Sequence, residues 1–399
     1  MSENRTVKRF IPVSVYDIEG MESWLSDMAE GGLLLKGFGR FFAHFEKGEV
    51  QKVIYRVEPA YKADEMPNDE VLEYYKDSGW NYISHINKTL FIYMSTYDEM
   101  KEIHTDPVVQ SYTYEALNRK LKSTTILVTI LSLLVIGMIL SIYLINKQPV
   151  LYMIQGEFIN QLIILILELF TIIYSIRDAR AVNKLLKQLK SGVPITHKRN
   201  YKKSKILTLS GYSLLVLASI LIIILPILQI IKSWDKNIED VTKPIPTIKL
   251  DTLEEDGGFR YLNEISYSGR NYDNDVSYDW SPLSPVQYKI NQKGIIENMM
   301  WEDNSGDYKP SLTTEYYKLS LSILAKPLME DLITRYIVPY SNMTMEELSV
   351  KGFDRAVLAT EGVNQQLFAC KGNEVIYLKY YGYGVLKSKL NEIASILNK

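Results

Sequence analysis

Three stretches of the chain carry almost no charged side chains. Residues 124–145 hold 22 positions without a charge, residues 206–231 hold 26, and residues 158–176 hold 19 with Glu168 as their one charged side chain. About 20 apolar residues in a helix cross about 30 Å of hydrocarbon, so each stretch is predicted to span a membrane. Burying three such helices in a soluble protein would need a core far larger than the flanking chain could cover. Pro226, near the end of the third, allows a kink or a tilt.

On both sides of this block the pattern shortens to the periods of soluble domains. Residues 7–13 read as a strand. Residues 17–30 read as a helix with Ile18, Met21, Trp24, Leu25 and Met28 on one face, stopped by Gly31 and Gly32. Residues 40–46 and 49–57 alternate, which predicts a hairpin turning at Lys47-Gly48. A short helix over 68–78 follows, then a second hairpin of 80–86 and 89–95 around Asn87-Lys88. A last helix from about residue 111 is predicted to run into the first span. After the third span, Lys243-Pro244-Ile245-Pro246 forms a linker. A tract over 251–285 has little periodicity, 286–290 suggests a strand, and 313–336 suggests a long helix broken at Pro327. Strands are predicted at 355–360, 366–371 and 374–381, and a final helix places Leu386, Leu390, Ile393 and Leu397 on one face. The fold class is therefore α+β soluble domains on either side of a three-helix transmembrane region. The parts are 1–122, the membrane region 123–231 with its connection 177–205, and 232–399.

Composition alone hides this segregation, since the mean hydropathy is −0.07 and the formal net charge only −2. Local charge decides orientation. The connection 177–205 has ten basic residues against Asp178 alone, whereas 146–157 has only Lys147 and Glu157. The positive-inside bias puts residues 1–122 and the basic connection in the cytoplasm and residues 232–399 outside. Residues 1–16 lack a continuous apolar core and a small-residue cleavage site, so the first span is expected to direct insertion. The two soluble parts carry 15 basic against 20 acidic and 19 against 24 side chains, each −5, which confines basic character to one connection.

A family resemblance rests on Val7-Lys8-Arg9-Phe10, Tyr16-Asp17-Ile18-Glu19, Glu22-Ser23-Trp24-Leu25, Met28-Ala29-Glu30-Gly31-Gly32, Phe42-Ala43-His44-Phe45-Glu46-Lys47-Gly48 and Tyr55-Arg56-Val57-Glu58. Over about residues 5–100 the chain resembles the bacterial domain-of-unknown-function family numbered 2812, and the three spans that follow are similar to the layout of its longer members. The resemblance carries no activity to any residue. It implies a multi-pass protein of the bacterial cytoplasmic membrane, from a family whose members are often found beside PadR-type transcriptional regulators.

Candidate chemistry is sparse. Gly31-Gly32 and Gly37-Phe38-Gly39 lack phosphate-loop spacing, so no cofactor is expected. All four histidines precede Lys198, so an external hydrolase would have only carboxylates, and no enzyme is expected. His44, among aromatics on a strand, reads as structural. Cys370 is most simply a small core residue. The runs 273–275 and 303–307 offer oxygen ligands but do not complete a calcium loop, so solvated turns are expected and no metal is assigned. Fourteen of the 29 tyrosines lie after residue 232, which suggests an exposed surface for protein, peptide or glycan.

Two sites remain. Glu168 sits mid-span, where an ionised carboxylate costs a few kcal/mol. It is expected to be hydrogen-bonded to hydroxyls such as Thr129, Ser132, Ser213 or Ser219, or to a helix of another protein; a proton relay is the sharper alternative. Arg177, Arg180, Lys184, Lys187 and Lys190 form the basic face of a helix whose other face holds Val182, Leu185, Leu186 and Leu189, ended by Gly192 and Pro194. Such a helix can lie on the anionic cytoplasmic leaflet, hold a protein partner or second copy, or merely enforce topology. Direct nucleic-acid binding is not expected, because aromatic interleaving is missing. The function expected is signalling or regulation, coupling an external recognition domain to a cytoplasmic partner-binding domain. The alternative is a non-catalytic accessory subunit of a larger membrane complex such as an export or immunity system.

Overall fold

The computed structural model describes residues 6–60, 66–96, 102–145, 147–155, 157–255, 257–264, 269–337 and 342–397. The chain divides into two compact units, Met1–Ile136 with Leu165–Ala218 and Gly137–Ile164 with Ser219–Lys399.

The first unit opens with β1 (Thr6–Phe10), α1 (Ile18–Glu30), β2 (Leu33–Phe38), β3 (Phe42–Lys47), β4 (Ile54–Pro59), α2 (Asp69–Asp77), β5 (Asn81–Ile86), β6 (Leu90–Ser95) and α3 (Pro107–Ile145). Asp17 caps α1 by accepting the Gly20 N–H, and the chain leaves the helix through Gly32 in the left-handed region at φ +74°. Two antiparallel sheets result, ordered β1-β3-β2 and β4-β6-β5. The hairpin at Asn87-Lys88 forms as expected, with both residues at positive φ (+49° and +55°), as a two-residue primed turn requires.

The hairpin expected at Lys47-Gly48 does not form. β3 pairs instead with β1 and with the unanticipated β2, and β4 goes to the other sheet. Leu33-Leu34-Leu35 lacks alternation, so its strand character comes from pairing with β3, which no local pattern encodes.

Beyond α3 come α4 (Pro149–Ile154), α5 (Glu157–Lys190) and α6 (Lys202–Lys232). The helices that include the three apolar stretches are each long and apolar enough to cross a membrane. Their apolar parts are almost wholly unburied by the protein itself, so side chains such as Leu127, Leu134, Met138 and Ile223 point outward and need lipid around them. The protein is a membrane protein with α+β domains flanking three apolar helices.

The second unit adds β7 (Trp234–Asn237), α7 (Leu250–Glu254), β8 (Phe259–Tyr261), β9 (Asp275–Asp279), β10 (Val286–Ile296), β11 (Ser311–Lys318), α8 (Ala325–Tyr336), β12 (Thr344–Glu347), β13 (Arg355–Glu361), β14 (Asn364–Lys371), β15 (Glu374–Tyr381) and α9 (Leu390–Ile396). They form a nine-stranded antiparallel sheet, ordered β12-β13-β14-β15-β11-β10-β9-β7 with β8 beside β10. Its central strands are covered on both faces. Leu358, Leu367, Ile376 and Tyr380 face the core that holds α9, while Val357, Phe368, Cys370 and Tyr377 face the core that holds α8 and α4. Cys370 is the buried core residue expected.

The long helix expected over 313–336 is a correction. Its first part is the strand β11, held between β10 and β15, and only Ala325–Tyr336 is α-helical, after a 3-10 turn at Ser322–Leu324. Thr313, Thr314, Tyr316 and Tyr317 are residues a pleated surface accommodates, and Pro327 lies in the first turn of α8, where its missing N–H costs nothing.

Some of the tyrosines after residue 232 pack inside the domain, while Tyr261, Tyr272 and Tyr381 are exposed. Tyr308, Tyr316, Tyr317, Tyr377 and Tyr380 are buried. Tyrosine hydroxyls serve internal acceptors: Tyr308 and Tyr380 donate to Glu254 at 2.9 and 2.6 Å, Tyr317 and the half-buried Tyr336 to Glu315 at 3.0 and 2.6 Å, and Tyr377 to the Gln366 amide oxygen at 3.1 Å. Oxygen-rich turns are used internally too. Asp275 accepts from Arg270 and Asn291, Asp273 from Lys293, and Asp303 closes a turn on the Ser305 N–H.

Candidate functional site at the basic end of the second apolar helix

α5 runs unbroken from its apolar stretch to Lys190, and Gly192 at φ +80° ends it. The apolar face of its last turns is occupied by the protein itself. Val182, Leu185, Leu186 and Leu189 lie in the same core as Trp24, Leu25, Phe45, Tyr55 and Tyr114. That face is therefore unavailable to a membrane surface. The basic face remains open: Arg180, Lys184, Lys187 and Lys190 are exposed and Arg177 is half-buried. Lys190 pairs with Glu115 at 2.5 Å, and Arg177 donates to Ser204 Oγ at 2.8 Å while its guanidinium lies over the Tyr174 ring.

Glu168 finds one of the expected partners. Ser132, itself buried, donates its Oγ hydrogen to Glu168 Oε2 at 2.5 Å. Glu168→Gln keeps an acceptor for that hydroxyl and is expected to insert and express normally. Glu168→Lys puts an unpartnered cation in the span at a cost of about 2.5–3.5 kcal/mol, and a loss of membrane-inserted protein on quantitative blotting checks this. Equal insertion of both variants would show that the span tolerates a cation at this depth.

A second polar cluster lies where the chain after α5 returns to the N-terminal unit. Glu22, 2% exposed on α1, accepts the Val57 N–H at 2.9 Å and meets His197 Nδ1 at 2.5 Å. Arg56 reaches Glu102 through Nε at 2.8 Å and Nη2 at 2.5 Å, with the Trp80 ring beneath it. Beside them Glu58 accepts from Gln110 at 3.1 Å and lies 3.3 Å from His104 Nε2. Burial pulls the His104 pKa down, but the Glu58 carboxylate outweighs it and the net direction is upward. Burial raises that of Glu102, and Arg56 more than reverses it, so this carboxyl is held below its ordinary range. Arg56, Glu58, Glu102, His104, Gln110 and His197 line a cavity of about 320 Å³. Among the described residues no three ligating side chains converge to hold a metal. What the cluster can do is lock: it ties α1, β4, the approach to α3 and the segment after α5 through charge-assisted hydrogen bonds. Residues 175 positions apart meet in it, so no spacing in the sequence could announce His197 or Glu22.

With this geometry in view, the comparisons with known proteins fall into place. Residues 17–127 match the family described as a protein of unknown function (DUF2812). The N-terminal part resembles that family, as its motifs indicated. No curated protein and no solved structure matches the chain. The DUF2812 stretch contains Glu22, Arg56, Glu58, Glu102, His104 and Gln110, whereas His197 and the buried face of α5 come from outside it.

Two further cavities adjoin the basic face, both within the first unit. One, about 380 Å³, is lined by Arg177, Arg180, Lys184, Arg199 and Lys203 together with Asp17, Glu19 and Asp178. The other, about 360 Å³, lies among α3, α5 and α6 with walls that include Leu121, Val128, Phe170 and Leu215. Three of the basic residues singled out in the sequence thus share one concavity, while Lys187 and Lys190 stand apart from it.

Proposed function

We propose that this is a transmembrane regulatory protein, with an external recognition domain whose state reaches a cytoplasmic partner-binding domain through α5. The observation that supports it is that the last turns of α5 and the short helix α4 just before it are each anchored, in different units. The last turns of α5 are core of the first unit. The short α4 just before it is core of the second: Asp331 accepts the Val150 and Leu151 N–H groups at 2.6 and 2.9 Å, while Ser281 and Gln287 donate to the Ile154 carbonyl. Both ends of α4 are capped by its own unit, which satisfies groups a short helix leaves open.

The composition of the units agrees with three crossings. A three-span chain puts its N-terminal part and second connection on one side, and its first connection and C-terminal part on the other; the units combine the same pieces. The ten-to-one basic bias of 177–205 supports a cytoplasmic first unit. The accessory-subunit reading has less support, because Glu168 finds its hydrogen-bond partner within the chain.

Asp331→Ala tests the coupling. It leaves two buried N–H groups without an acceptor, at about 1–3 kcal/mol each, and should free α4. Coupling between sites is typically worth about 1–3 kcal/mol, so amide exchange over 182–190 should rise about fivefold or more along with that over 149–155. Faster exchange in α4 with unchanged protection at 182–190 would refute transmission through α5.

A further inference from the structure

We propose that the two cavities at the end of α5 form one binding site for a single anionic phospholipid. Its phosphodiester would lie against Arg180, Lys184 and Lys203, and an acyl chain would lie among Leu121, Val128, Phe170 and Leu215. The inference rests on the membrane reading of the helices and is independent of signal transmission between the units.

The cavities adjoin, since Tyr16 and Asp178 line both. Their chemistry changes where that of the helices does. The apolar cavity lies at the ends of the three apolar stretches, among 121–128, 170–178 and 208–215, and the cationic one continues from it along the basic turns of α5. An amphiphile needs that succession. A free anion has no use for the apolar half, and a neutral lipid has none for the cations.

The cations are not consumed internally. Arg199 is, by Asp17 and Glu19 at 3.4 and 3.0 Å. Arg180, Lys184 and Lys203 have no carboxylate partner among the described residues. Arg177 uses Nη2 on Ser204, while its Nη1 is buried without a hydrogen-bond partner, a donor for which a ligand oxygen is the missing acceptor. Asp178, the carboxylate on the shared wall, is engaged by the Ser14 hydroxyl at 2.7 Å. A volume of about 360–380 Å³ in each half is within the range of ligand sites. Cations beside an anionic headgroup each strengthen binding about fivefold.

Native mass spectrometry of the full-length protein, delipidated in mild detergent and titrated with phosphatidylglycerol or phosphatidylcholine, tests this. Phosphatidylglycerol is expected to form a one-to-one adduct at least about tenfold tighter than phosphatidylcholine, and millimolar inorganic phosphate should not displace it. Arg180→Gln/Lys184→Gln/Lys203→Gln should abolish the preference, and Val128→Trp, which fills the apolar half, should weaken both lipids. Equal binding of the two lipids by the unaltered protein would overturn the proposal without recourse to any variant. So would displacement by phosphate, which would leave an anion site only, or a preference that survives the triple substitution. Should Val128→Trp fail to elute as a monodisperse species, Val128→Met is the substitute, and undiminished binding by a folded cavity-filling variant would refute the acyl half.

Discussion

Leu189→Asp is expected to unfold the N-terminal unit while leaving the C-terminal sheet intact. Leu189 is fully buried, three turns beyond the apolar stretch of α5, in a core shared with α1, β3, β4 and the base of α3. Truncating a buried leucine costs about 2–5 kcal/mol, and a carboxylate there adds a desolvation penalty. Together these approach the whole stability of about 5–15 kcal/mol typical of a domain. The same reasoning predicts that residues 1–122 by themselves do not fold cooperatively, because Val182, Leu185, Leu186, Leu189 and Ile195 complete their core. Amide exchange of the full-length variant and a thermal melt of the fragment check the pair. A fragment that melts cooperatively near the temperature of the intact unit would show that α5 decorates this core without being needed.

Glu22→Ala is the second large effect. Its carboxylate is 2% exposed, so the alanine variant leaves the Val57 N–H without its acceptor, and Arg56 and His197 without the charge they face. Removing one partner from a buried ionic cluster costs about 3–5 kcal/mol. Glu22→Gln, which can still accept the Val57 N–H, is expected to cost less. The exchange rate of the β4 amides measures both, and a change of under 1 kcal/mol in opening free energy for the alanine variant would mean that the cluster does not hold α1 to β4.

The elements that were legible share one property: their signal is local. The apolar stretches, the first helix with its stop at Gly31-Gly32, the Asn87-Lys88 turn and the continuation of α5 past the membrane to Gly192 each depend on residues within a few positions of one another. The failures are the reverse. β2 and β11 are strands because of what lies beside them, and apolar or β-branched residues without clean alternation do not announce such partners. β13 to β15 were legible nonetheless, although both their faces are covered, because each is a short apolar run bounded by turn residues.

By itself, then, the sequence determined that the chain has three membrane-capable helices with an α+β domain before and after them, and where a basic face and a mid-span acid fall. Hydropathy and charge are additive along the chain, so no folding was needed to read them. Only the tertiary structure decided what those features touch. It placed the apolar side of the basic helix in the N-terminal core, gave Glu168 the Ser132 hydroxyl, capped α4 with Asp331 and joined Glu22 to His197. Each of these joins residues 36 to 181 positions apart, at or beyond the separation where side-chain pairing leaves no trace in local pattern and exists only once the chain has closed on itself.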